Sequence, residues 1–284
     1  MAKVKRRPLA AGAGKEARSM NGWRWLGGGL AATLFAAAAA VGEGPIQDNS
    51  FLIEEAYNQE AGVVQHISTL ELDGKSSEFV TTFTEEWPYG GILHQLSYTL
   101  AVARAGGEVG LGDLALNYRY QLVGDGAAPL AIAPRFSLLL PTGDERRGLG
   151  TGAVGAQVAL PVSAVLARRL VGHFNLGATF VPNSEAASGA RADTAAVSFG
   201  QGLVFLARPN LNLMLEAVWT RGQVVRDAGG TERETSFVLS PGLRFAIDRP
   251  NGLQIVPGIA LPIGIGPSSG DWSVFFYLSF EHPF

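Results

Sequence analysis

The chain contains no cysteine. This excludes a disulfide scaffold, cysteine-based zinc sites and thiol catalysis. Beyond the first forty residues it also lacks any apolar run near the roughly 18 to 20 residues that a membrane helix needs. Charge is scarce, at 17% of 284 residues, against about 25% in ordinary soluble domains. Lysine almost vanishes, with Lys75 alone beyond residue 40. Residues 1–40 carry +6, from Lys3, Lys5, Arg6, Arg7, Lys15, Arg18 and Arg24 against Glu16; with −3 on the whole chain, −9 remains on residues 41–284. Phosphate contact needs a basic footprint, so nucleic acid is not an expected partner. What is abundant is glycine, 37 residues, and hydrophobic side chains, 47% of the chain. The glycines suit many turns and crowded strand faces. The hydrophobic residues are dispersed, so their spacing carries the information.

A basic arm precedes Trp23–Ala40, WRWLGGGLAATLFAAAAA. This reads as a signal peptide over residues 1–40, with Ala38-Ala39-Ala40 fitting the A-x-A rule and Val41 as the first mature residue. Met1 and Met20 are both open as the start, and Arg6-Arg7 lies far from the apolar run for a twin-arginine signal. An uncleaved anchor is the alternative, although three consecutive glycines make a poor lipid-facing helix.

From Gly62 onward the pattern has period two. Leu114, Leu116, Tyr118, Tyr120 and Leu122 alternate with Asp113, Ala115, Asn117, Arg119 and Gln121. One such strand fits a soluble sandwich as well as a membrane barrel. About twelve candidates of nine to thirteen residues fit the barrel better, since that length crosses a bilayer at a tilt and five or six residues is usual in globular proteins. They fall near 62–72, 77–87, 93–103, 109–122, 130–140, 153–164, 170–181, 195–207, 210–220, 235–247, 253–263 and 272–284. Connections sort by parity. Short turns lie near Pro88, Gly124, Arg168, Pro209 and Pro250, and longer loops at Pro141–Gly152, Asn183–Thr194, Arg221–Thr235 and Gly264–Asp271. Short periplasmic turns and long outer loops are the barrel pattern. Several prolines (134, 141, 161, 241, 257 and 262) fall in or beside the strands, where they predict bulges or shifted limits. Strands 62–72 and 77–87 alternate poorly, and Glu71, Glu85 and Glu86 are expected at rims.

The expected fold is thus all-β, a transmembrane antiparallel β-barrel of about 12 strands over residues 62–284. It is preceded at 41–61 by a short segment in the periplasm or the lumen. Ser50, Glu54 and Glu55 would suit the first turn of a short helix there. The last strand places Trp272, Val274, Phe276, Leu278, Phe280, His282 and Phe284 on one face. Its end resembles the C-terminal signature that the barrel-assembly machinery reads, with Phe280 and Phe284 as the signal. The location this implies is the bacterial outer membrane, with outer-membrane lipid and lipopolysaccharide, the assembly machinery and a small-molecule solute as partners.

Phe51–Ser68 (FLIEEAYNQEAGVVQHIS), Gly110–Leu122 (GLGDLALNYRYQL) and Pro134–Gly152 (PRFSLLLPTGDERRGLGTG) resemble outer-membrane proteins of the MetA-pathway of phenol degradation family, often labelled simply "transporter". The resemblance covers most of the mature chain. It implies an outer-membrane barrel with a role in uptake of aromatic or hydrophobic compounds. It carries over no binding residues.

The residues themselves offer several sites. The inward phase of the alternation holds Asp113, Asn117, Arg119, Gln121, Arg135, Gln157, His173, Asn175, Glu216 and Arg244, which are the candidates for lining a lumen and tuning selectivity. Asp144, Glu145, Arg146 and Arg147 form a charged cluster in an outer loop, either self-paired in solvent, or part of a loop folded inward over the pore, or a contact for lipopolysaccharide phosphates. Gly150-Thr151-Gly152-Ala153-Val154-Gly155 matches a dinucleotide fingerprint. That motif works only between a strand and a helix, and here it leads from a loop into a strand. His66 and Ser68 share a strand face in a spacing like that of outer-membrane phospholipases, with Asn58 as an orienting partner. His94, His173 and His282 are scattered, which gives no metal site, and no cofactor is expected. Twelve strands enclose a narrow lumen. The leading expectation is therefore passive or facilitated, porin-like uptake of small solutes without enzymatic activity. The alternatives are a phospholipase-like lipid hydrolase and a non-conducting structural barrel.

Overall fold

The computed structural model describes residues 50–124 and 128–284. The signal-peptide reading lies outside these residues. The alternating stretches form sixteen antiparallel segments: β1 (Val63–Asp73), β2 (Phe79–Pro88), β3 (His94–Ala105), β4 (Glu108–Leu111), β5 (Leu114–Tyr120), β6 (Leu130–Ile132), β7 (Arg135–Leu140), β8 (Gly155–Ala167), β9 (Leu170–Glu185), β10 (Arg191–Arg208), β11 (Leu211–Val225), β12 (Thr231–Phe245), β13 (Ile247–Asp248), β14 (Gln254–Ala260), β15 (Ile263–Gly264) and β16 (Ser273–Pro283). Four pairs of segments, β4–β5, β6–β7, β12–β13 and β14–β15, are single staves with an interruption. Twelve staves result. Each pairs with its neighbours in sequence, and β1 pairs with β16 over eleven residues, so the sheet closes on itself. Closure leaves no edge strand.

Two of the four interruptions fall at prolines. Pro134 divides β6 from β7, and Pro161 of β8 lies between the residues that pair with each. Pro262 separates β14 from β15, and Pro241 of β12 again falls between the two pairings. Each proline, with no N–H to give, thus sits where the neighbouring ladder is already broken. Two expected outer loops are corrected. The strands continue through most of 183–194 and 221–235, leaving only residues 186–190 and 226–230 as turns. Arg191 pairs with Glu185 at 2.6 Å across the first of these hairpins. Polar residues hid these extensions, because strand beyond the bilayer needs no apolar face.

The two faces of the wall differ sharply. Leu116, Phe136, Val158, Phe180, Leu213, Leu243, Ile259 and Phe276 point outward and are all exposed. An apolar belt around the whole circumference would be untenable in water and is what hydrocarbon requires. Most inward positions are small or polar. Three buried apolar clusters occur where residues 51–57 meet the wall.

Candidate functional site: a segment threaded through the lumen

Residues 50–59 run through the barrel interior. The helix considered for this stretch is absent; the segment is irregular throughout. Its backbone groups are satisfied by side chains of the wall instead of by one another, which meets the demand that buried N–H and C=O groups be paired. The Glu216 carboxylate of β11 accepts from the N–H groups of Phe51, Leu52 and Ile53, each at 3.1 Å. Asn175 of β9 accepts from Glu54 N–H at 2.9 Å and donates to Glu54 C=O at 2.6 Å. Ser163 Oγ accepts from Ala56 N–H, Gln121 Oε1 from Asn58 N–H and Gln95 Oε1 from Gln59 N–H. Gln121 also donates to Ala56 C=O. The Arg119 guanidinium donates to the carbonyls of Glu55 and Tyr57 and to Asn58 Oδ1.

Apolar contacts complete the seat. Phe51 lies against Phe275 and Tyr277, with ring centroids 5.6 and 5.2 Å away. It fits there because β12 and β14 carry Gly242 and Gly258; a Cβ on Gly258 would stand 2.4 Å from Phe51 Cζ. Ile53 covers Gly202. The Tyr57 ring meets His173 edge-on, and His173 Nδ1 is 2.8 Å from Ser163 Oγ.

The segment fills one side of the lumen. Along β1–β5 a cavity of about 230 Å³ remains, bordered by Leu52, Ile67, Leu139 and Tyr277, by hydroxyls, and by charged groups. The hydroxyls form cross-strand pairs, Thr69–Thr82 at 2.6 Å and Thr84–Thr99 at 2.9 Å. Asn117 donates to Ser97 at 3.2 Å. Five charged residues border the space. Arg135 pairs with Glu54 at 2.6 Å, and Arg119 lies between Glu55 and Glu86 at 3.9 and 4.0 Å.

The ten inward candidates all lie inside the barrel, but they divide by task. Arg119, Gln121, Asn175 and Glu216 bind the threaded backbone, and His173 supports Tyr57. Buried Arg244 is the cation beside Glu216. Asp113 holds the outer loop, with Oδ1 accepting from Gly143 N–H and Oδ2 from Thr151 N–H and Oγ1–H. Only Asn117, Arg119, Arg135 and Gln157 border the cavity. The threonine row was not singled out by the alternation, and Glu86, expected at a rim, lies instead inside the barrel against the cavity, 4.0 Å from Arg119. β3 did carry a signal, because Gln95, Ser97 and Thr99 alternate with Leu96, Tyr98 and Leu100.

The outer loop combines the solvent-paired and the inward-folded readings. Asp144 caps a short 3₁₀ turn, Glu145–Arg147. Arg147 pairs with Asp144 and with Glu108 in solvent. Leu149, just beyond, is buried against Ala103, Ala105 and Val80 of the inner wall, so the loop bends into the mouth. Gly143 and Gly150 are in backbone contact there, which explains the glycine-rich stretch without a nucleotide. The phospholipase arrangement is not assembled. Asn58 is inside the barrel, whereas His66 faces outward with its ring nitrogens toward Glu85 and His282. Phe280 lies on the outer face, opposite His66 in the register, and Phe284 is exposed at the rim.

A closed wall with a lipid-compatible exterior and a polar, partly filled interior defines a transmembrane β-barrel of the bacterial outer membrane. The chain belongs to the family described as "Putative MetA-pathway of phenol degradation", whose pattern matches residues 52–259. That match begins within the threaded segment. Among solved structures the chain is similar to an outer membrane channel from Pseudomonas putida F1, with a TM-score of 0.57 and 11% identity over 81% of this chain and 98% of that one. It is also similar to the NanC porin, with a TM-score of 0.54 and 8% identity over 77% of this chain and all of that one. No curated protein matches it in sequence.

Proposed function

We propose that this protein is a passive channel for small solutes that combine an apolar body, such as an aromatic ring, with a polar group. The carrying observation is the cavity beside the threaded segment. It joins an apolar border (Leu52, Ile67, Leu139) to a hydroxyl row, two arginines and three glutamates. Such a surface suits an amphiphilic ring better than a bare ion or a sugar. The family's description, which refers to phenol degradation, and the channel and porin names of the similar folds support the same reading. Neither an energy source nor a covalent step is required, so the protein acts as a non-enzymatic conduit. Its partners are then the solute, the surrounding lipid and lipopolysaccharide, and the assembly machinery that reads the terminal aromatic strand.

The test is single-channel conductance of refolded residues 41–284 in planar bilayers, with and without small aromatic acids. Discrete steps that the acids block are expected. A correctly inserted but silent barrel would overturn the channel reading in favour of a structural barrel.

A further inference from the structure

We infer that His66 and His282 form a zinc-type metal site that ties the first strand of the barrel to the last. The two residues are 216 positions apart in sequence, and closure of the ring brings their Nε2 atoms to 3.2 Å. Their ring centroids are 5.3 Å apart. This separation well exceeds the nitrogen–nitrogen distance, so the rings meet through their Nε2 edges and not face to face.

The tautomers decide what that approach means. His282 Nδ1 is 2.9 Å from the carbonyl oxygen of Pro283. A carbonyl only accepts, so His282 Nδ1 carries the hydrogen and Nε2 carries a lone pair. His66 Nδ1 is 3.6 Å from the Glu85 carboxylate, so without a metal His66 Nε2 donates to the His282 Nε2 lone pair. A metal that displaces this one hydrogen leaves a lone pair on each nitrogen, both directed into the same gap. Two nitrogens at zinc-ligand distances of about 2.0–2.1 Å with a near-tetrahedral angle lie about 3.3 Å apart, which matches the gap. The outer partners are also those that metal-bound histidines use, a carboxylate behind one ring and a backbone carbonyl behind the other.

Support for the rings is on the page. Tyr98 donates to Glu85 at 3.1 Å and fixes the carboxylate. The Phe83 ring lies 6.2 Å from His66 at an interplanar angle of 18°. The His66 side chain is 29% exposed, so water can complete the coordination. The site stands on the outer wall near the end of the barrel where β1 begins and β16 ends. Among the described residues no cluster of three or more His, Asp or Glu could hold a metal, so this is a two-residue site with an open remainder.

The experiment uses the refolded chain, without an affinity tag, in detergent micelles. Zinc chloride is titrated calorimetrically, and Cu²⁺ serves as the spectroscopic probe. One zinc per chain is expected, together with a copper spectrum showing two nitrogen ligands. His66→Ala and His282→Ala should each weaken zinc at least tenfold. Glu85→Gln should weaken it about tenfold, as loss of an outer partner does. His94→Ala should change nothing. A hydrogen between the rings that zinc does not displace would instead give no zinc binding to the unaltered chain, which overturns the site. So would binding that both histidine variants retain. If a variant fails to refold, the copper spectrum of the unaltered chain still decides, with two nitrogens supporting the site and none overturning it.

Discussion

Glu216 seats the start of the threaded segment: one carboxylate receives three consecutive backbone N–H groups. Hydrogen bonds to a charged group are worth about 1.5–3 kcal/mol each, and Arg244 nearby compensates the buried charge. Glu216→Ala removes the one oxygen, Oε1, that accepts from all three. The amides of Phe51–Ile53 should then lose most of their hydrogen-exchange protection, while the strand ladders keep theirs; unchanged protection would refute the seat. Gly258→Leu tests the same seat from the apolar side, since even its Cβ would collide with the Phe51 ring. Phe51 should leave its pocket, and the conductance of the barrel should rise several-fold. Arg119 is the third anchor. Removing it takes the nearest cation from Glu86 and leaves the carbonyls of Glu55 and Tyr57 without their donor, so Arg119→Ala should cost about 3 kcal/mol or more in urea unfolding from micelles.

At the scale of elements, the staves were legible and the threaded segment was not. Period-two alternation located all twelve staves, because a wall with lipid outside and polar contents inside leaves that imprint on nearly every one. It weakened in β1 and β2, where Thr69, Thr82 and Thr84 face inward while Ser68 and Thr81 face outward, so neither phase is clearly apolar. It could not reveal what the inward residues hold. Gln121 and Asn175 look like lumen lining in any alternation, yet both bind backbone of a segment more than sixty residues away. The same segment looked helical, since Ser50 and the two glutamates suit a first turn. The wall offered its backbone better partners than a helix would. The outer loop carries its own prediction. Asp113 pins both ends of the 143–151 stretch, so Asp113→Ala should free it, and trypsin should cleave after Arg146 or Arg147 at least tenfold faster. Equal cleavage rates would mean that Leu149 alone holds the loop.

For the whole molecule, closure converts a scarce set of charges into a single internal field. The belt excludes charge, so the acids and arginines of the middle strands collect inside, where low dielectric strengthens them. Around the cavity Glu54, Glu55 and Glu86 face Arg119 and Arg135, a balance of three negative charges to two positive. A solute passing the threaded segment therefore crosses a slightly cation-favouring zone. Arg135 is the residue through which to test this, because unlike Arg119 it holds no backbone of the segment. Its bonds run to Glu54, Asn117, Ser137 and Gln157. Arg135→Ala should shift the reversal potential in a potassium chloride gradient toward that of potassium. Arg135→Lys, which keeps the charge but loses the planar fork, should leave it near that of the unaltered protein. If both variants shift it equally, the arginine acts by shaping the wall; if neither does, the ions take a path that avoids this cavity.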